Sequence, residues 1–445
     1  MSFIRNTLTV LLDSALGLPV ALLSSIILAR YLTLPERGDY GVVITFALTA
    51  ATISLLGWPT AVISRIRGAR SDPAQVVTAT LVGVSLFSLV TFAVVIALAG
   101  ALTNALLEGG RREAIYLGAG FALLQAVGHT FSSIAQALDR FDLSVWYHAI
   151  VRIGTAAALL LTLVLFDAGL LGALSATLAV RAAVTLGLCA VIISKTGVSR
   201  SLDRNEFRSC FSVGIRSYLQ STVSHLHERI DVLMLAYLAG SSDVAYYAVA
   251  LSLIERLKTV PSAIGTALLP TVAGLGARAA AEFTARVSRH TLLWIGVLLL
   301  VLLPAAPFVI PFVYGAQYEP SVGAAVILLI AMGLLSINRV LNPYFVSVHA
   351  QGIIITVNAI SLLLNVLLNL MLIPTYGFIG AALASLISYG TSFAGSLAAF
   401  LYRSGLSLRS TLIVAPAEVF EYRERITERL RRGRAQTPTT DLDED

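Results

Sequence analysis

Apolar residues fall along this chain in long unbroken blocks, not in stripes of helical period. Leu8 to Leu28, Val76 to Leu98, Ala156 to Phe166, Leu292 to Val313 and Ile353 to Ile373 carry almost no charge. About 20 such residues in a helix match the hydrocarbon thickness of a bilayer. The blocks therefore predict membrane-crossing helices, at 8–31, 41–63, 76–103, 114–137, 146–166, 170–193, 214–238, 244–270, 287–313, 322–345, 352–373 and 378–401. The expected fold class is all-α and integral to the membrane, with about 12 transmembrane helices. The first block is longer than the apolar core of a secretion signal, roughly 7–15 residues, and Ala29-Arg30-Tyr31 is a poor cleavage site. It is read as a permanent span.

Composition agrees with that reading. Of 445 residues, 57% are hydrophobic and only 13% charged, with a mean hydropathy of +0.84. Soluble domains carry roughly a quarter charged residues. The net charge of +6 reflects sidedness and gives no reason to expect a nucleic acid partner. With the N-terminus in the cytoplasm, the inner segments hold Arg5, Arg65, Arg67, Arg70, Arg140, Lys195, Arg200, Arg204, Arg208, Arg278, Arg286, Arg289, Arg403 and Arg409. The outer side then holds only Arg30, Arg37, Arg111 and Arg112. That is the positive-inside pattern, which predicts a multi-pass cell-membrane protein with both termini cytoplasmic.

The two halves resemble each other in sequence. Ala29 to Tyr40 and Ala236 to Tyr247 share a layout: a span end, a short turn with an acidic residue, and a Tyr that opens the next span. Ala168-Gly-Leu-Leu-Gly-Ala173 lines up with Tyr376-Gly-Phe-Ile-Gly-Ala381. The offsets, 236 − 29 = 207 and 377 − 169 = 208, keep the two anchors in register. Two six-helix lobes related by an axis along the membrane normal are expected, at 1–200 and 201–410. A charged, helix-favouring segment (411–435) and a disordered acidic tail (436–445) follow. Such pseudo-symmetric bundles favour alternating access, in which rocking lobes expose a central site to one side and then the other.

Charge inside the predicted spans is where chemistry is expected. Arg152, Arg181, Arg216, Arg229, Arg256, Lys258 and Arg339 are opposed by Asp13, Glu228, Asp231 and Glu255. Seven cations less four acids leave three unpaired. Each buried charge costs about 2.5–3.5 kcal/mol on insertion scales, so these groups should face water, a partner or the bundle interior. Helical spacing allows Glu255 with Lys258, His225 with Arg229 and His227 with Asp231 to be ordinary structural pairs. The surplus favours a wet cleft that attracts phosphate or carboxylate, since Arg suits bidentate phosphate contact. Arg229, Arg256, Lys258, Arg216 and Arg181 are the candidate substrate cations. Glu255, Asp231, Glu228 and Asp13 are the candidates for ion or proton coupling. Arg152 and Arg339 lie near cytoplasmic ends, where snorkelling is expected. His129 reads as a packing residue.

No phosphate-binding loop of the G-x-x-x-x-G-K-[ST] kind occurs, so no built-in ATP motor is expected. Cys189 and Cys210 imply neither a disulfide framework nor a metal site. No paired carboxylates or nucleophile–base set stands out, so neither an enzyme nor a cofactor is expected.

Asp231-Val-Leu-Met-Leu-Ala-Tyr-Leu-Ala-Gly240, Val244-Ala-Tyr-Tyr247 and Pro261-Ser-Ala-Ile-Gly-Thr-Ala-Leu-Leu-Pro270 resemble the polysaccharide (O-antigen repeat-unit) flippases. These belong to the multidrug/oligosaccharidyl-lipid/polysaccharide exporter superfamily. Leu28-Ala-Arg-Tyr-Leu32, Gly38-Asp-Tyr-Gly41 and Tyr314-Gly-Ala-Gln-Tyr318 are similar to it too. The resemblance implies a V-shaped bundle like that of MATE transporters, around a cationic cavity. It also implies a polyprenyl-diphosphate-linked oligosaccharide as cargo, moved to the outer leaflet. Arg229, Arg256 and Lys258 would then meet the diphosphate and sugar acids. Membrane lipids, and a polysaccharide polymerase or glycosyltransferases, are the expected partners. Some relatives place key cations in spans one and two, where this chain shows only Arg30 at an edge. A cation-coupled multidrug antiporter would want an acidic, aromatic cavity, which the positive surplus disfavours. A non-transporting scaffold acting through the tail is the remaining rival.

Overall fold

The computed structural model describes Gly17, residues 19–68, 72–197, Ser199, 201–254 and 259–414, apart from the side chains of Arg216, Ser217, Gln220, Leu253, Thr259 and Val260. Asp13, Glu255, Arg256, Lys258, the Arg216 side chain and most of the predicted tail helix therefore lie outside the described residues. The described chain is helical from end to end. Lipid offers no water to backbone N–H and C=O groups, and a helix satisfies them within its own segment.

The helices are α1 Pro19–Tyr31, α2 Leu34–Leu55, α3 Trp58–Arg67, α4 Pro73–Ala97, α5 Ala99–Leu106, α6 Arg112–Ala137 and α7 Phe141–Leu159, whose last turn widens to a π-helix over Leu160–Leu165. Then follow α8 Gly169–Thr196, α9 Arg204–Leu238, α10 Ser241–Ile254, α11 Thr259–Ala273, α12 Ala277–Tyr314, α13 Ser321–Ser347, α14 Gln351–Ser404 and α15 Leu408–Leu412. Eight of the described helices are long and apolar enough to cross a membrane. Local chemistry sets their ends. Glu36 reaches back to the N–H (3.3 Å) and hydroxyl (3.0 Å) of Thr33, with Pro35 in the first turn of α2, a capping arrangement. Asp72 and Asp203 cap α4 and α9 through the N–H groups of Ala74 (3.1 Å) and Asn205 (2.8 Å).

Helices and predicted spans differ in instructive ways. Leu56 (φ 41°) and Gly57 (φ 78°) break the predicted span 41–63 into α2 and α3. Helices α9 and α12 start ten residues before the predicted 214 and 287. Their first turns carry Arg204, Arg208, Arg278 and Arg286, so hydropathy detects only the lipid-facing part of each helix. Helix α14 has 54 residues, about 80 Å at 1.5 Å per residue, which is too long for one crossing. Gly377 (φ 54°, ψ −134°) folds it into two limbs that match the predicted 352–373 and 378–401. Phe308, Phe312 and Leu300 are 76–83% exposed, as lipid-facing side chains should be.

The cores show how the halves meet. Connections alternate between a basic end, with Arg65, Arg67, Arg140, Lys195, Arg204, Arg208, Arg278, Arg286, Arg289, Arg403 and Arg409, and an opposite end that holds only Arg30, Arg37, Arg111 and Arg112. One apolar cluster at the opposite end runs through both halves and includes Ile27, Val43 and Leu174 with Leu235, Val244, Ile310 and Leu328. Towards the basic end it divides. One cluster holds Trp58, Val84, Phe131 and Ile134 of the first half, and another holds Leu268, Ile337, Phe345 and Phe400 of the second. One core at one end and two at the other make a V.

The internal repeat is visible as matching contacts. Glu36 lies beside Gly169 in the first half, and Asp243 beside Gly377 in the second, which joins the two anchors of the sequence repeat in each lobe. Asp243 also accepts the Phe378 N–H at 2.9 Å. Both glycines have positive φ, 58° and 54°. Asp139 (φ 58°) and His349 (φ 54°) repeat the correspondence, each followed by an N–H bonded five residues back, Arg140 to Ala135 (2.8 Å) and Ala350 to Phe345 (2.7 Å). A Cβ on Gly377 would lie 2.3 Å from Asp243 Oδ1, whereas one on Gly169 would lie 3.4 Å from Glu36 Oε1. Positive φ strains either alanine by about 1–3 kcal/mol, but only Gly377→Ala adds a collision. Folded yield and thermal midpoint in detergent should fall clearly further for Gly377→Ala than for Gly169→Ala; equal losses would contradict this packing.

Candidate functional site: the seam between the halves

At the opposite end the two halves touch through backbone. A Cβ on Gly38 of α2 would lie 1.7 Å from the Ser241 carbonyl oxygen at the start of α10, so only glycine allows the approach. Ser241 ties the junction: its hydroxyl donates to the buried Asp39 carboxylate and its N–H to Glu108 Oε1 at 3.0 Å. Arg30 at the end of α1 donates to the carbonyls of Val313 (2.9 Å) and Phe312 (2.8 Å). Those carbonyls sit in the last turn of α12, where helical acceptors lack intrahelical partners. Gln317 adds a bond to the Ala29 carbonyl at 3.2 Å.

Arg37, which the sequence places in an external loop, is instead in the first turn of α2 and 6% exposed. Span two therefore does carry a cation.

Helix α9 bridges the halves along its length. Its first turns belong with the N-terminal half. Arg65 holds Glu206 through two bonds of 2.8 and 2.6 Å, and Trp58 packs on Phe207 at 5.3 Å. Gly57 also abuts Gly214, where a Cβ would come within 2.0 Å of the carbonyl oxygen. Cys210 is buried beside Glu206, and burial pushes its thiol up to about 12, so it is a packing residue. Further along, His225 meets Thr49 of α2 at 3.5 Å.

From Glu228 onward α9 joins the C-terminal half. Glu228 receives Arg339 at 2.6 Å, and Arg339 also donates to Ser262 at 3.1 Å. Arg339 therefore does not snorkel; it is ion-paired. His227 meets the Tyr389 ring edge-on at 5.0 Å.

Asp231 is 1% exposed. Its carboxylate accepts from the Tyr247 hydroxyl, from Ser385 (2.9 Å) and from the Val232 N–H (3.1 Å). Ser385 opens a polar stripe inside the C-terminal half. Asn365 donates to Ser388 (3.2 Å), Asn369 to Asn365 (3.0 Å), Asn338 to Ser392 (2.8 Å) and Ser392 to Asn358 (3.0 Å). These groups were legible in principle. Asn358, Ser361, Asn365 and Asn369 fall three or four residues apart and so share one helix face, but a search for charge passes over them.

The remaining candidates are scattered. Arg229 is half-buried on α9. Arg181 lies within the N-terminal half, its guanidinium 4.8 Å from the Phe121 ring centre and 3.5 Å from the Tyr147 hydroxyl. The His129 side chain is exposed on α6, not packed as expected. No cluster of three or more His, Cys, Asp or Glu that could hold a metal occurs among the described residues.

A sequence profile of the polysaccharide biosynthesis protein family matches residues 3–276. The chain belongs to that family. No curated protein matches it by sequence. Solved structures share the fold of this family member at low identity. The lipid II flippase MurJ in an inward closed conformation aligns with a TM-score of 0.71 at 13% identity, over 92% of this chain and 89% of that one. An inward-facing multidrug resistance MATE transporter aligns at 0.71 with 14% identity, over 87% and 94%. An outward-facing MATE transporter reaches only 0.59 at 15% identity, over 91% and 95%.

The Glu228–Arg339 pair joins α9 to α13 at side-chain exposures of 27% and 29%. A charge-assisted bond of this kind contributes about 1.5–3 kcal/mol. In a double-mutant cycle on thermal stability, Glu228→Ala with Arg339→Ala should cost no more than the worse single change. Additive losses would show that the two side chains act independently.

Proposed function

We propose that this protein carries a polyprenyl-diphosphate-linked oligosaccharide, a polysaccharide repeat unit, from the cytoplasmic to the outer leaflet by alternating access. The observation that carries the proposal is the division of one shared core into two towards the basic end. The positive-inside rule makes that end cytoplasmic, so the cleft opens where such a cargo is made. Lobes 1–200 and 201–410 would rock about the seam, with α9 as the shared element. Membership of the polysaccharide biosynthesis family supports the cargo class, and the fold shared with MurJ, a lipid II flippase, lends support to a lipid-linked cargo.

The cargo would place its diphosphate in the cleft and leave its tail in lipid. Arg229, Arg256, Lys258 and Arg216 are the cations proposed to receive it, with Arg181 further inside the N-terminal lobe. Glu228, engaged by Arg339, is a weaker coupling candidate than Asp231. Asp231 is a buried carboxylate held by neutral donors, a setting in which gain or loss of a proton or small cation changes the local charge by a whole unit. The cargo's makers and users, glycosyltransferases and a polymerase, are the proposed partners. A multidrug antiporter would need an acidic cleft instead.

Two variants test the proposal at normal protein levels. Arg256→Ala and Lys258→Ala should each lower translocation at least tenfold in a leaflet-accessibility assay and leave lipid-linked sugar on the cytoplasmic face; wild-type rates in both would remove these residues from the site. Asp231→Asn should preserve binding of the cargo while abolishing dependence of transport on the ion gradient. Loss of function on deleting residues 416–445, with the cleft cations dispensable, would favour the scaffold reading.

A further inference from the structure

Arg37 presents a problem of charge. It is 6% exposed, and its Nε has no hydrogen-bond partner. A guanidinium stays protonated in proteins, and an uncompensated buried charge is strongly destabilising. The acids nearest in the chain and at the junction are engaged elsewhere. Asp39 receives Ser241, Glu108 receives the Ser241 N–H, and Glu36 caps Thr33 and faces Arg111 at 3.7 Å. No carboxylate among the described residues is ion-paired with Arg37.

Its electrostatic neighbours are the phenols of Tyr318, Tyr40 and Tyr314. Two of the three are committed elsewhere: Tyr40 to Thr177 at 3.0 Å and Tyr314 to Ser252 at 2.9 Å. Tyr318 is 0% exposed, and its hydroxyl has no partner. Arg37 and Tyr318 thus each keep a buried polar atom without a hydrogen-bond partner on facing sides of the seam. Arg37 also occupies the first turn of α2, where the helix dipole repels a cation and favours an anion.

We propose that Arg37 and Tyr318 form a small anion site buried in the seam, occupied by a chloride-sized ion or by a single phosphoryl group. Arg37 and Tyr40 come from the N-terminal half, whereas Tyr314 and Tyr318 come from the C-terminal half, so the site exists only while the opposite end is shut. A guest bound there stabilises the sealed state by mass action. When the seam parts, the guest is lost and Arg37 meets the cleft. The inference rests on the seam and not on the identity of the cargo.

The test is thermal unfolding of the purified full chain in detergent at constant ionic strength, with isethionate replaced stepwise by chloride or, separately, by pyrophosphate. The wild-type midpoint should rise saturably by about 3 °C or more with at least one of the two. A response to chloride alone identifies an inorganic guest, and a response to pyrophosphate alone identifies a phosphoryl group such as the cargo carries. Arg37→Met should abolish the response. Tyr318→Phe, which removes a single oxygen, should weaken it at least threefold in apparent affinity and serves where the arginine variant does not fold. A flat wild-type midpoint with both anions overturns the site, as does an undiminished response in Arg37→Met or, where that variant does not fold, in Tyr318→Phe.

Discussion

Two helix backbones can approach to contact only where no side chain intervenes, and in this protein that happens between Gly38 on α2 and Ser241 on α10. The contact draws the halves together at the end poor in basic residues. Asp39 and Glu108 fasten it from one half, and the last-turn carbonyls of α12 accept Arg30 from the other side. Asp39 and Ser241 are buried there, and a buried polar group must find a protein partner or cost several kcal/mol. Both do. The apolar cluster behind the seam is continuous across both halves for the same reason.

Everything towards the basic end follows from that single fixed junction. The halves diverge, each keeping its own core, and α9 changes allegiance along its length. Its start is bolted to α3 by Arg65 and Glu206, and its later turns to α10, α13 and α14 by Asp231 and Glu228. A helix held by both lobes is a natural place for their relative motion to be felt, because any rocking must strain one set of contacts or the other. Small residues at the crossing, Gly57 against Gly214, keep α9 close to the N-terminal half while leaving little side-chain interlock to undo.

The fold was largely legible in the sequence because bilayer thickness imposes a length on apolar blocks, and the blocks of this chain are long. The repeat was legible too, and its anchors turn out to be in contact: Glu36 with Gly169, and Asp243 with Gly377. What the sequence hid was pairing. Counting charges gave a surplus, but Arg339 on α13 found Glu228 on α9, four helices back along the chain, and Arg37, assigned to a loop, sits inside the seam. Hydropathy places residues by depth and says nothing about which helix face meets which neighbour. The asparagine and serine stripe of α13 and α14 was missed for a related reason, since uncharged polar residues barely lower the hydropathy of an apolar span.

Fixing the seam covalently tests the account most directly. In a background lacking Cys189 and Cys210, Arg30→Cys and Gln317→Cys place exposed thiols on opposite halves at the sealed end. Joining them with a short bis-maleimide should stop translocation of lipid-linked sugar, while either single-cysteine protein given the same reagent continues to work. Full-rate translocation by the joined protein would contradict a carrier that must part this seam to release its cargo.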